Sequence, residues 1–401
     1  MTPLRSTAVL LCFALVVAFG TAAIVQLPLI KKNEVHINYV LDKDHQQQPL
    51  HDLPVGAAES NETEEAHQPA IYIAHNYHND YYLTNLSIGT PPQEFEVAVQ
   101  TGSPSFWVVD QSAHDHQRPK GFDSNSSHTA VLDQAAEFFD DYGNGIAKGL
   151  TFTDSLTIGG LTVENQTFGS ILTIEDEHHD FPADGVLGLS WSFDEADRNK
   201  SEMPVLSLLK QLDQPMYTLW LGPARKPSEG PSTGLLTLGG LDALHCSADV
   251  HYVPATKSAY WMSTFQIDGV KIGEFVEQKP AVGILDSGSA VIQAEDAAHV
   301  SFYQRQVNAT FDEQHRLFTV DCAAVPSLPA FEFTIGGRSF AVQPKDYVVE
   351  LELTENRCGL AVGHESTLDF GWTLGMPFLR SYCTVFDIGQ KRYGFADIKQ
   401  A

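Results

Sequence analysis

A strand-and-turn design that occurs twice restricts the fold of this chain more than any other feature. The two copies span residues 96–103 and 281–289, and each is an apolar run that ends in a polar turn. The turns are Gln100-Thr101-Gly102-Ser103 and Asp286-Ser287-Gly288-Ser289. Each turn carries a glycine two positions after its first residue, as a tight loop requires. The repeat predicts two related lobes that each give one loop to a shared cleft.

Short runs rich in Val, Ile, Thr, Tyr and Phe recur from residue 71 onward, separated by Gly, Pro, Asn and Asp. Such runs are typical of β-strands. The predicted strands include residues 81–88, 95–99, 151–158, 235–238, 331–335 and 392–395. Helical signals are few and short, at residues 204–210 and 294–304. We therefore predict an all-β fold of barrels or sandwiches.

Charge and ligand types exclude two classes of partner. The chain has 24 Lys plus Arg against 51 Asp plus Glu, a formal charge of -27, whereas a nucleic-acid protein would need a basic stripe. This charge suits a protein that works in acid, or it is simply a soluble acidic surface. Four histidines lie in polar loops without a third well-spaced ligand, so we predict no metal site. They are His114, His116, His178 and His179.

The N-terminal residues are typical of a protein that enters the secretory pathway. Residues 1–23 resemble a signal peptide, with Arg5, an apolar run over 8–19 and small residues at Thr21-Ala22-Ala23. No later stretch is long and apolar enough for a membrane anchor. Residues 24–67 are polar and acidic, which indicates a pro-segment or else a flexible tail of the mature protein. We expect a secreted or lysosomal protein.

Cysteines and glycosylation sequons agree with that route. Cys12 lies in the signal peptide, and four cysteines remain for two disulfides with three connectivities. These are Cys246, Cys322, Cys358 and Cys383. The N-x-S/T sequons begin at Asn61, Asn85, Asn125, Asn165, Asn199 and Asn308.

An ordered series of motifs around the two turns resembles the pepsin family of aspartic peptidases. The motifs are Ile88-Gly89-Thr90-Pro91-Pro92-Gln93-Glu94-Phe95, Phe106-Trp107-Val108, Tyr142-Gly143-Asn144-Gly145, Ala183-Asp184-Gly185-Val186-Leu187-Gly188-Leu189, Leu238-Gly239-Gly240, Trp372-Thr373-Leu374-Gly375 and Val385-Phe386-Asp387. The resemblance implies a bilobal pepsin-like fold of two related β-barrel lobes, at residues 68–240 and 241–401, with a cleft between them.

The resemblance also implies how the cleft is used. An extended peptide or protein ligand would lie in it, bound by main-chain hydrogen bonds. The loop residues listed above would support the site, and Tyr142, Gly143, Asn144 and Gly145 would form a flap over the ligand. The resemblance implies disulfides Cys322–Cys358 and Cys246–Cys383, although two buried free thiols at Cys246 and Cys383 are the alternative. It implies a monomer without a cofactor.

The chemistry of the family needs two carboxylates that share one proton and one water, pepsin itself being the familiar case. One carboxylate takes a proton from the water while the other donates one to the scissile carbonyl. Asp286 stands in the second position, but Gln100 occupies the first, and an amide cannot carry and release a proton. We therefore predict a peptide-binding homologue that is inactive or strongly impaired. The alternatives are an active acid endopeptidase that uses Asp286 and a secreted structural or storage glycoprotein.

Overall fold

The computed structural model of the protein describes the greater part of the chain. The described residues are 25–32, 81–113, 120–141, 145–176, 183–191, 203–212, 214–223, 233–257, 262–294, 297–312, 317–349, 356–364 and 371–399. The predicted signal peptide and most of the predicted pro-segment lie outside them.

Strands make up most of the described regular structure. The first are β1 (Val25–Lys32), β2 (Tyr81–Ile88), β3 (Gln93–Gln100), β4 (Phe106–Val109), β5 (Val131–Asp141), β6 (Gly145–Ile158), β7 (Leu161–Asp176), β8 (Gly185–Gly188), β9 (Met216–Leu221), β10 (Thr233–Leu238), β11 (Cys246–Pro254), β12 (Thr256–Lys257), β13 (Ser263–Ile267) and β14 (Gly269–Ile272). The others are β15 (Phe275–Glu277), β16 (Ala281–Leu285), β17 (Ile292–Ala294), β18 (Thr310–Asp312), β19 (Leu317–Asp321), β20 (Phe331–Ile335), β21 (Arg338–Val342), β22 (Val348–Val349), β23 (Arg357–Leu360), β24 (Val362–His364), β25 (Trp372–Leu374), β26 (Tyr382–Asp387) and β27 (Arg392–Ile398). The all-β class is confirmed.

One large sheet connects the two halves of the chain. Its 13 strands follow the order β11-β27-β26-β9-β10-β1-β2-β3-β8-β4-β7-β6-β5. Three smaller sheets come from the second half: a 6-stranded one, β12-β13-β16-β25-β17-β24, and the 4-stranded sheets β15-β14-β20-β21 and β18-β19-β23-β22. The first polar turn therefore follows a strand of the large sheet, and the second follows a strand of the 6-stranded sheet.

The described helices are short and sit at the ends of strands. They are α1 (Pro204–Leu209), α2 (Ala297–Gln306), α3 (Pro344–Tyr347) and α4 (Met376–Leu379), with 3-10 turns at Ser124–Ser126 and Cys322–Ser327. Pro204 at the first position of α1 needs no backbone donor there, which is why the predicted helix begins at that residue. The start of the predicted helix 294–304 was wrong, because Ala294 pairs with His364 as the last residue of β17.

The longest hairpin joins strands β6 and β7 of the large sheet. Strands β6 and β7 pair from Gly145↔Asp176 to Ile158↔Leu161. Gly159 and Gly160 connect them with φ values of 57° and 83°, a combination that two-residue hairpin turns require. Strand β5 pairs along the other side of β6 and ends the large sheet.

Strand β1 belongs to the predicted pro-segment, yet it is built into the large sheet. It pairs antiparallel with β10, from Val25↔Leu238 to Ile30↔Thr233, and its end pairs with β2. Leu27 is 4% exposed and Leu29 1% exposed, and both belong to the main core cluster. This part of the predicted pro-segment is therefore a structural strand.

Two disulfides lie in the C-terminal half. Cys246 at the start of β11 is bonded to Cys383 in β26, and Cys322 is bonded to Cys358 in β23. In the part of the chain that the structure describes, no helix is long and apolar enough to cross a membrane. Across the same residues, no group of three His, Cys, Asp or Glu is placed to hold a metal ion. The four loop histidines lie outside the described residues.

Candidate functional site

The two polar turns begin at the ends of strands that have the same surroundings. Strand β3 ends at Gln100, which pairs in parallel with Gly188 of β8. Strand β16 ends at Leu285, which pairs in parallel with Leu374 of β25. The residues that precede each turn are buried in the protein core, so the strand ends are held in place by packing. Gln100 and Asp286 are therefore presented at equivalent points of the two halves.

Two hydroxyl groups lock the turns to each other in a reciprocal pattern. The Thr101 Oγ1 donates to the Leu285 carbonyl (2.9 Å) and accepts from the Ser287 N–H (2.9 Å). The Ser287 Oγ donates to the Val99 carbonyl (2.7 Å) and accepts from the Thr101 N–H (3.0 Å). Thr101 is 4% and Ser287 1% exposed, so these bonds are shielded from water. The predicted shared cleft thus has a rigid floor that both halves build.

The glycine of each turn leaves room for the key side chain of the other turn. A Cβ on Gly102 would lie 2.4 Å from the carboxyl carbon of Asp286. A Cβ on Gly288 would lie 2.8 Å from Nε2 of Gln100 and 3.2 Å from Oδ1 of Asp286. The amide and the carboxylate therefore cross over the opposite turns and lie close to one point above Gly288.

Asp286 also bonds within its own turn, which fixes its orientation. Its Oδ1 accepts from the Gly288 N–H at 2.8 Å, and its backbone N–H donates to the Leu374 carbonyl at 3.3 Å. In the first turn, the Gln100 carbonyl accepts from the Leu189 N–H at 2.7 Å. Both key side chains are half-buried, so solvent and a ligand can reach them.

Two further predicted site residues, Ser103 and Ser289, belong to the same turns. Ser103 accepts at its Oγ from the Ser105 N–H (3.1 Å), and Ser289 donates from its Oγ to the Val291 carbonyl (3.0 Å). Both therefore shape the turns. Gly145 opens strand β6, whereas the predicted flap residues Tyr142, Gly143 and Asn144 lie outside the described residues.

A second acidic residue, which sequence reasoning missed, reaches this region from the β5–β6 hairpin. Asp140 accepts at Oδ1 from Ser105 Oγ (2.8 Å) and at Oδ2 from Trp107 Nε1 (3.2 Å). Burial raises the pKa of this carboxyl above its ordinary value, and the two hydrogen bonds oppose that rise in part. The one sequence signal was an acid placed two residues before Tyr142.

Family models identify the architecture. The model described as eukaryotic aspartyl protease matches residues 81–398 of this chain. The chain belongs to the pepsin family of aspartic proteases. The bilobal pepsin-like fold predicted from the sequence is thereby confirmed, and members of this family bind peptide substrates in the cleft between the lobes.

Relatives in the pepsin family match four-fifths or more of the chain. Aspartic protease 1 of Caenorhabditis elegans is 34% identical, covering 95% of this chain and 96% of the relative. Aspartic protease 17 of the same organism is also 34% identical, over 80% of this chain and 84% of the relative. Cathepsin D of Dictyostelium discoideum is 32% identical, over 80% of this chain and 84% of that protein.

Proposed function

We propose that this member of the pepsin family binds extended peptides and hydrolyses them very slowly or not at all. The observation that carries the proposal is the position of Gln100, at the strand end equivalent to that of Asp286. The reciprocal bonds of Thr101 and Ser287 present the two side chains as a pair. One member of this pair can carry and release a proton, and the other cannot.

The lack of a carboxylate at position 100 affects both the activation of water and the protonation of the scissile carbonyl. Peptide hydrolysis by two carboxylates needs one group to activate water while the other protonates the carbonyl oxygen, and the roles then reverse. The amide of Gln100 can donate from nitrogen and accept at oxygen, but it cannot exchange a proton near working pH. Its side chain is also one methylene longer than that of Asp, so its amide extends into the space that a catalytic water needs.

Other carboxylates on the first lobe are held by their own partners. Asp110 accepts from Ser170 Oγ (2.6 Å) and from the Ser112 N–H (2.8 Å). Asp140 accepts from Ser105 and Trp107, as described above. These contacts support the view that neither acid takes the place of a carboxylate at position 100.

The binding half of the proposal follows from the geometry of the cleft floor. The loops around Gln100 and Asp286 are held by buried hydrogen bonds, and the β5–β6 hairpin rises beside them. An extended peptide would lie along this hairpin and bond to its main chain, with pockets for alternate side chains. We propose residues 68–240 and 241–401 as the two lobes, Tyr142, Gly143, Asn144 and Gly145 as the flap that contacts the ligand, and a monomer as the working form.

The purified mature protein tests this proposal. We expect no cleavage of denatured globin at acid pH above the level of the Asp286→Asn variant, which lacks the one remaining acid of the pair. A statine-containing peptide should still bind to wild type, measured by surface plasmon resonance, but far more weakly than to an active relative, because its hydroxyl meets one carboxylate. Cleavage by wild type that Asp286→Asn abolishes would show an active endopeptidase instead.

We also propose that the protein passes through the secretory pathway, to the outside of the cell or to a lysosome. Relatives named cathepsin D and vacuolar protease A support this route. The sequon asparagines that the structure describes all have exposed side chains: Asn85, Asn125, Asn165 and Asn308. Residues 1–23 would be removed as a signal peptide and residues 24–67 would act as a pro-segment.

Protein expressed in a eukaryotic secretory host should therefore carry N-linked glycans. We expect treatment with peptide N-glycosidase to lower the mass measured by mass spectrometry and to convert the modified asparagines to aspartates. Substitution of the sequon threonine, as in Asn165-Gln166-Thr167 with Thr167→Ala, should remove the glycan at that site alone. An unchanged mass in all cases would contradict the proposed route.

A further inference from the structure

Asp140 stands on the inner face of the β5–β6 hairpin, beside an apolar cluster. In the antiparallel pairing it lies opposite Ala147, which shares its face. Ala147 belongs to a buried cluster with Trp107, Val109, Ile171 and Val186. A carboxylate at this place loses much of its hydration, so its two protein hydrogen bonds are what hold it there.

The partners of Asp140 belong to the segment that follows Gln100. Ser105 donates to Asp140 from its side chain, and its backbone N–H donates to the Oγ of Ser103 in the polar turn. The Ser105 carbonyl accepts from the Gly188 N–H at 2.8 Å, so Ser105 is itself held from three sides. A short chain of hydrogen bonds therefore runs from the hairpin to the turn that presents Gln100.

We propose that Asp140 is a positioning residue of the peptide-binding cleft, which fixes the β5–β6 hairpin against the turn after Gln100 through Ser105 and Trp107. An extended peptide would contact both the β5–β6 hairpin and the turn after Gln100. The hydrogen bonds of Asp140 therefore set the distance between these two surfaces. The inference deepens the proposed function and rests on it for the identity of the ligand, but the contact itself can be tested without any ligand.

The charges around Asp140 give the contact a pH dependence with a definite sign. Asp141 on the same strand adds repulsion, and burial raises the pKa most. Ser105 and Trp107 are uncharged, and the Lys148–Glu175 pair (2.7 Å) lies on the opposite face of the hairpin, because Lys148 is paired with Phe139. The pKa is raised in the closed contact and ordinary in the open one, so the contact is strongest below the ordinary pKa and weakens as pH rises through the raised pKa.

Three variants test whether Asp140 positions the hairpin and whether its charge makes the contact depend on pH. Asp140→Ala removes both hydrogen bonds. Asp140→Asn keeps them in a neutral form, because the amide oxygen can accept from Trp107 while the amide nitrogen donates to the Ser105 hydroxyl. Asp141→Ala is the matched control, since it removes an exposed acid from the next position of the same strand.

Hydrogen–deuterium exchange of residues 131–141 and 145–158 is the primary measurement. We expect Asp140→Ala to lower protection of these amides about tenfold, as the loss of two net hydrogen bonds predicts. Asp140→Asn and Asp141→Ala should both keep protection near wild type at acid pH. Equal protection in wild type and Asp140→Ala, or an equal loss in Asp141→Ala, would overturn the proposal.

Hydrogen–deuterium exchange of wild type and Asp140→Asn at several pH values tests the proposal even if Asp140→Ala fails to fold. After correction for the intrinsic pH dependence of amide exchange, protection in wild type should fall relative to Asp140→Asn between acid and neutral pH. A constant ratio would contradict the role of Asp140. Binding of the statine-containing peptide is measured in parallel: weaker binding to Asp140→Ala than to Asp141→Ala supports positioning. If no variant and no wild type binds the peptide, the proposed function fails while exchange still decides the contact.

Discussion

Replacement of Gln100 by Asp is expected to produce hydrolysis of denatured globin at acid pH, where wild type gives little or none. The substitution supplies the second group able to carry a proton, beside Asp286 on the floor that Thr101 and Ser287 hold together. A positioned acid or base contributes about 10²–10⁴-fold to such a reaction, so activity should rise by at least about 10²-fold. The rise should be greatest in acid, where two neighbouring carboxylates share one proton.

Gln100→Asn is the matched control for this experiment. It shortens the side chain to the length of Asp and clears the same space, but it keeps an amide that cannot ionise. Activity in Gln100→Asp alone would show that the missing proton site silences the natural protein. Activity in both variants would show that the length of Gln100 matters more than its charge, and that result would contradict the proposed chemistry.

A different result would show that Gln100 is not the sole cause of the missing hydrolysis. If Gln100→Asp folds, binds the statine-containing peptide and still cleaves nothing, the pairing of two acids is not sufficient in this cleft. The double variant Gln100→Asp with Asp286→Asn should return activity to zero, because each acid depends on the other. Activity that survives in the double variant would point to a contaminating protease.

The sequence was a good guide wherever one local pattern determines the structure. Strand β2 and strand β20 begin and end where runs rich in Val, Ile, Thr, Tyr and Phe predicted them. The two polar turns were found because each combines an apolar run with a glycine two positions after the first residue of the turn. The structure adds the reciprocal hydrogen bonds of Thr101 and Ser287. These bonds connect residues far apart in the chain, so no local sequence pattern predicts them.

Sequence patterns failed where distant contacts decide. Ala294 carries a good helix propensity, but a parallel pairing with His364 places it in a strand. The polar composition of the predicted pro-segment gave no sign that Leu27 and Leu29 pack into the main core cluster, on a strand between β10 and β2 of the large sheet. Asp140 was not predicted as a site residue, because an acid on a strand usually faces water. Its hydrogen-bond donors, Ser105 and Trp107, come from another part of the chain.

Thr101→Val is expected to cost the largest share of folding stability among the single substitutions considered for the cleft floor. Valine has nearly the same shape but no hydroxyl, so the Leu285 carbonyl loses its donor and the Ser287 N–H loses its acceptor. Each buried group left unsatisfied costs about 1–3 kcal/mol, so the free energy of unfolding should fall by about 2–5 kcal/mol. Urea unfolding followed by tryptophan fluorescence measures the change.

Thr101→Ser separates the hydrogen bonds from the packing. It keeps the hydroxyl and removes one methyl group, so it should cost only about 1 kcal/mol. Ser287→Ala removes the symmetric hydroxyl and should resemble Thr101→Val. The double variant should cost less than the two single losses together, because the two hydroxyls hold the same pair of turns and each loss loosens the bonds of the other. Equal stability of Thr101→Val and Thr101→Ser would mean that the reciprocal bonds do not hold the floor. The pairing of Gln100 with Asp286, on which the proposed chemistry depends, would then lose its structural support.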